Sequence, residues 1–223
     1  MFRLIALAGI AIFAAGGARA ADEATLFTVA YIEVGPVLAK LGAATLRSYR
    51  DAAESNQGVV SLEVYQRVER PNQLIVLGAW SGPMAFEANQ GSEPTKKLNE
   101  KLATMLAAPP DVRQHASVTL APIKAGKDPI MVVTHVDVIP AQKDAALDVL
   151  KKLADDSRRQ PGNERFDVWQ QKDRPNHFTL VETWSNRGAL DLHAMQKDTR
   201  EFRSKLAPML GALYDERVYK VVK

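Results

Sequence analysis

The 223-residue chain contains no cysteine. That excludes disulfide stapling, a thiol nucleophile and a cysteine-ligated metal, so the fold must be held by its core. Histidine and tryptophan are scarce, at four and three residues, so any role that needs an imidazole or an indole falls to few positions. No glycine-rich phosphate loop of nucleotide or dinucleotide type occurs. Charge of one sign is also missing. Of 29 basic and 26 acidic residues, Arg3 and Arg19 lie in the first twenty positions, leaving 27 against 26 beyond them. Such a mixed, nearly neutral surface lacks the clustered Lys and Arg of a nucleic-acid or anionic-membrane footprint.

One long apolar run is present, Leu4 to Ala15, preceded by Arg3 and followed by Ala18-Arg19-Ala20. Its short positive start and small residues at the cleavage positions predict a secretory signal over residues 1–20, hence export and a periplasmic location. The run is too short for a membrane span, so no stable membrane insertion is expected after cleavage.

The remainder repeats itself. A shift of 104 positions carries Val64-x-Gln66, Arg70-Pro71-Asn72 and Trp80-Ser81 onto Val168-x-Gln170, Arg174-Pro175-Asn176 and Trp184-Ser185. It also carries Gly58 onto Gly162 and Thr95 onto Thr199. Repeats that survive at a fixed spacing mark duplicated units. Residues 25–120 and 130–223 are read as the two copies, and 121–129, with two prolines, as the linker.

Each copy opens with an apolar, β-branched run ended by proline: Phe27 to Val34, and Met131 to Val138. An amphipathic helix follows, Leu38 to Ser55 or Ala141 to Arg159. Two short runs around Glu69-Arg70-Pro71-Asn72 or Asp173-Arg174-Pro175-Asn176 predict a hairpin. A broken helical region comes next, in copy two with Phe202, Leu206, Met209, Leu210 and Leu213 as its apolar stripe, and then a last strand. This order is the ferredoxin-like βαββαβ unit. Such a unit leaves one sheet face uncovered, and two tandem units packed sheet to sheet bury both. The predicted fold class is therefore α+β, an intramolecular dimeric α+β barrel.

Glu182-Thr183-Trp184-Ser185, then Ala189-Leu190, His193 and Phe202-x3-Leu206, resemble the signature of the antibiotic biosynthesis monooxygenase domain. The resemblance implies an apolar pocket between sheet and helices in each unit. It also implies oxidation of electron-rich phenols or quinols by O2 without a bound metal or flavin, with heme binding in the equivalent pocket of related proteins as the alternative. The expected partners are a small aromatic substrate and O2, with further pairing of pseudo-dimers into a homo-oligomer.

Copy two carries His135, Glu182 and His193 where copy one has Tyr31, Gly78 and Asn89. A phenol becomes a good electron donor to O2 once deprotonated, so a base near its hydroxyl and a dry apolar wall meet the chemical need. His193 is the expected base, His135 a second relay, and Glu182, sharing strand parity with Trp184, the group that orients a histidine. Trp184, Trp169, Tyr31 and Trp80 are the expected substrate-facing aromatics. Each has a plainer reading. Trp80 and Trp184 suit core packing, His193 a half-exposed helix position, and His135 a buried hydrogen-bonded site. Trp169 and Tyr65 can line either pocket or barrel. His177, beside the turn, is expected in solvent, and His115 has no partner motif. A binding or structural protein without turnover is the competing functional class.

Overall fold

The computed structural model describes residues 25–124, 126 and 129–222, so the expected signal lies outside the described residues. Copy one runs β1 (Leu26–Glu33), α1 (Ala39–Ala53), β2 (Val59–Arg67), β3 (Gln73–Trp80), α2 (Pro83–Gln90), α3 (Glu93–Ala103) and β4 (Asp111–Thr119). Copy two repeats the order as β5 (Ile130–Asp137), α4 (Lys143–Arg158), β6 (Asn163–Gln171), β7 (His177–Trp184), α5 (Arg187–Met195), α6 (Lys197–Leu206) and β8 (Asp215–Val221). The strands close into one barrel in the order β1-β3-β2-β8-β5-β7-β6-β4. The two units meet along two seams. At one, Tyr65, Gln66 and Arg67 pair with Val221, Lys220 and Tyr219; at the other, His115, Ala116 and Ser117 pair with Gln171, Gln170 and Trp169.

Strand alternation divides each sheet into two faces. In copy one, Leu26, Ile32, Leu62, Val64, Val76 and Trp80 pack under α1 to α3; in copy two, Val132, Val136, Phe166, Val168, Leu180 and Trp184 pack under α4 to α6. Phe27, Val29, Ile75, Leu77, Met131, Val133, Trp169 and Tyr219 point the other way and fill the barrel. The expected class, two ferredoxin-like units forming one barrel, is the one observed.

The repeated motifs are explained by their contacts. Gln66 Nε2 donates to the Pro71 carbonyl at 2.8 Å and Gln170 Nε2 to that of Pro175 at 2.7 Å, tying each hairpin strand to its own turn. Asn72 Nδ2 reaches the carbonyl of Val34 and Asn176 Nδ2 that of Val138, fixing where the first strand ends. Gly58 and Gly162 have φ of 83° and 81°, a left-handed backbone that glycine adopts without strain. Their carbonyls accept from the N–H groups of Ser81 and Ser185.

The second helical region of copy two stops earlier than its apolar stripe suggested. Pro208 confines the chain after Leu206 to a short 3-10 turn, Leu210 bridges back to Val138, and Leu213 is 91% exposed rather than packed.

Candidate active site

β7 delivers Glu182 and Trp184 to the helix-covered face of copy two, and α5 lowers His193 onto them. Asn186 caps α5 by accepting from the Ala189 N–H at 3.0 Å, which sets where that helix starts and so where His193 falls. The imidazole lies against the Trp184 indole, with ring centroids 4.5 Å apart and planes 30° apart. The Trp184 Nε1–H donates to Glu182 Oε2 at 3.0 Å.

His193 Nδ1 lies 2.8 Å from Gln160 Oε1 and 3.3 Å from Thr199 Oγ1. An amide oxygen only accepts, so this contact selects the tautomer with its proton on Nδ1 and leaves Nε2 with a free lone pair. Nε2 faces Glu182 Oε2 at 3.8 Å, beyond hydrogen-bond reach. Burial, with Arg203 nearby, pulls the His193 pKa down to about 4. Burial pushes the Glu182 carboxyl up to about 8, although the Trp184 hydrogen bond pulls the other way. At neutral pH both groups are uncharged, and their contact is not an ion pair. The site is a neutral carboxylic acid, an indole and an imidazole whose unprotonated nitrogen is unused.

Copy one shows the same scaffold with different contents. Asn89 occupies the place of His193, its Oδ1 accepting from Asn56 at 2.9 Å and its Nδ2 donating to Tyr49 at 2.7 Å, with Thr95 alongside. Asn56 and Thr95 are the counterparts of Gln160 and Thr199 under the shift of 104. These two partners of His193 were missed from sequence, although the repeated threonine was visible as a signal. A cavity of about 100 Å3 lies here between sheet and helices, bordered by Ala30, Leu62, Trp80, Phe86, Leu98 and Pro110 among others. In copy two the counterparts of Ala30, Leu62, Gly78 and Pro110 are Thr134, Phe166, Glu182 and Tyr214, all larger. Trp184, Glu182 and His193 are 0, 3 and 6% exposed, much as Trp80 and Asn89 are in copy one, each at 2%.

The remaining candidates do not join His193. His135, Tyr31 and Trp169 point into the barrel, on the opposite sheet face, and Trp80 belongs to the core of copy one. Alternation along β5 separates them: Val132, Thr134 and Val136 face the helices, so His135 must face inward. There it forms a second cluster that sequence reasoning did not assemble. His135 Nε2 and His177 Nδ1 lie 3.0 Å apart, and His177 Nε2 is 3.4 Å from Asp137 Oδ1. His177, expected in solvent, is thus half-buried beside its strand neighbour. His115 Nε2 pairs with Thr179 Oγ1 at 3.0 Å, and the ring borders Trp169. Burial lowers His115 and His135 to about 4, with His135 and Arg113 acting on the former and Arg113 and His177 on the latter. Tyr31 is held between the guanidiniums of Arg113 and Arg217, at 4.9 and 5.3 Å from its ring centre. Among the described residues no group of three or more His, Asp or Glu is placed to hold a metal ion.

The model of the antibiotic biosynthesis monooxygenase family matches residues 129–205, which contain Glu182, Trp184 and His193. The uncharacterized protein sll1783 of Synechocystis sp. is 28% identical over 101 residues, covering 45% of this chain and 69% of its own. The candidate monooxygenase YcnE of Bacillus subtilis is 24% identical over 86 residues, covering 39% of this chain and 90% of its own. A solved structure of a candidate monooxygenase from Fusobacterium nucleatum superposes with a TM-score of 0.79 at 14% identity, over 90% of this chain and 93% of that one. At that identity the likeness speaks for the fold, here the whole fused barrel. Residues 129–205, folded as the second of two tandem units, are thus the part of the chain that carries the match to the antibiotic biosynthesis monooxygenase family.

Proposed function

We propose that the protein oxidises a small electron-rich aromatic, of quinol or phenol type, with O2 at His193 in copy two. The observation that carries this reading is the free Nε2 of a neutral, buried imidazole lying on Trp184. In this scheme Nε2 takes the proton of the substrate hydroxyl, the substrate supplies all four electrons and becomes a quinone, one oxygen atom enters the ring, and the other leaves as water with the two hydrogens that the substrate loses. No further cofactor is called for. Trp184 and Phe166 provide the dry wall, and Glu182, as a neutral acid, holds the indole in place. Entry needs α5 and α6 to yield, because the site is closed in the form described. Oxygen uptake with a panel of hydroquinones and anthrones tests the scheme. Uptake that is lost in His193→Ala supports it, and uptake unchanged in that variant sinks it.

A second reading, binding without turnover, is favoured by the cavity of copy one. Its volume of about 100 Å3 approaches the ~150 Å3 at which an apolar cavity takes a benzene ring. Phenol would then raise the unfolding temperature of the protein but not of an Ala30→Val variant that narrows the cavity. Heme, the other ligand class, would be read from a Soret shift on titration. Export rests on residues 1–20 alone and predicts a mature chain beginning at Ala21.

A further inference from the structure

One groove on the described surface has no part in the chemistry above. It has a volume of about 710 Å3, within the range of small-molecule sites. It lies over the seam where Gln66 of copy one is paired with Lys220 of copy two. One wall is the face of α1 that carries Lys40, Ala43, Ala44 and Arg47, spaced i, i+3, i+4 and i+7 along one stripe. The other is Lys220, Val221 and Val222, with Pro129 and Ile130 at the end of the linker. Its described lining sets Lys40 and Lys220 over an apolar floor.

The duplication supplies an internal control. The same stripe on α4 reads Asp144, Leu147, Asp148 and Lys151, and the counterpart of Lys220 is Ala116. The positions over the two seams therefore differ in sign while the fold around them is the same.

We propose that this groove is a binding site for an amphiphilic carboxylate, whose apolar body lies on Ala43, Ala44, Val221 and Val222 and whose anionic head meets Lys40 and Lys220. A ligand held this way touches both copies and fastens the seam between them. The charges are near the surface, so the electrostatic part of binding weakens with added salt.

Titration calorimetry of the mature chain with dodecanoate below its micelle concentration, at low salt, tests the site. Dodecanoate binds, and dodecanol, with the same body and no charge, binds at least about tenfold more weakly. Lys40→Glu/Lys220→Glu and, separately, Ala44→Asp, which installs the residue of copy two, each weaken dodecanoate by about tenfold or more. His193→Ala leaves the affinity unchanged, which separates this site from the oxidation site. Equal affinity for dodecanol, or dodecanoate affinity unaltered in both groove variants, overturns the proposal. So does binding abolished by Ala30→Val, which would place the ligand in the cavity of copy one.

Discussion

The indole N–H of Trp184 donates to Glu182, two residues earlier on the same strand, whereas that of Trp80 donates across to Thr28 on the neighbouring strand, both at 3.0 Å. Thr28 is the register partner of Gly78, and Val132 is that of Glu182. One cross-strand pair thus provides the acceptor in both copies, from opposite sides. Gly78 leaves no room for more, since a Cβ there would sit 2.6 Å from Thr28 Oγ1 and 2.7 Å from Trp80 Nε1. Thr28→Val alone strands a buried donor and destabilises by about 1–3 kcal/mol. Gly78→Glu alone overpacks, at about 1–3 kcal/mol. The double variant reproduces the pair of copy two and destabilises by about 1 kcal/mol less than the sum of the singles, read from denaturant midpoints.

His193→Asn replaces the proposed base with the residue that copy one places in the same slot. Because Asn89 bonds to Asn56 and has Thr95 beside it as His193 has Gln160 and Thr199, the fold is expected to change in stability by about 1 kcal/mol or less. Oxygen uptake, by contrast, falls to background. The contrast between melting temperature and uptake distinguishes a chemical role from a packing role.

Stability should peak near pH 6.5. Glu182 moves from its ordinary 4.5 to about 8 on folding, so its contribution is full below 4.5 and is lost as pH rises to 8. His115, His135 and His193 move from 6.5 to about 4, so theirs is full above 6.5 and is lost as pH falls toward 4. Between 4.5 and 6.5 these three histidines outweigh Glu182, and above 6.5 Glu182 draws stability down. Melting temperatures from pH 4.5 to 8 check this, and Glu182→Gln should flatten the limb above 6.5.

Arg165 holds the two copies together from inside. Its Nη1 meets Glu63 of copy one at 2.9 Å and its Nε meets Asp167 of copy two at 2.7 Å, with its side chain 6% exposed. Glu63 and Asp167 are counterparts under the shift, so one cation serves both halves of a symmetric pair. Arg165→Ala leaves those carboxylates without it and destabilises by about 3–5 kcal/mol, measured by urea unfolding.

The shift of 104, the hairpin prolines and the alternating strands made the barrel legible before any coordinates, because each rests on local pattern. The site was legible only in part. Trp184, Glu182 and His193 lie within twelve positions of one another on one strand and the next helix, and the sequence brings them together. His135 also carried the right chemistry, but its parity on β5 relative to Val132 and Val136 sends it into the barrel. That parity could have been counted from the apolar pattern. The pairing of His115 with Thr179, or of Arg165 with Glu63, depends on how two sheets close, which no short-range spacing encodes.

A barrel assembled from two separate chains comes apart on dilution, and every substitution in it appears twice. Here both seams are internal to one polypeptide, so assembly is unimolecular and its midpoint does not move with protein concentration. Each half can then drift alone. One holds a glycine and a cavity where the other holds an acid and an imidazole, with no penalty duplicated across the axis.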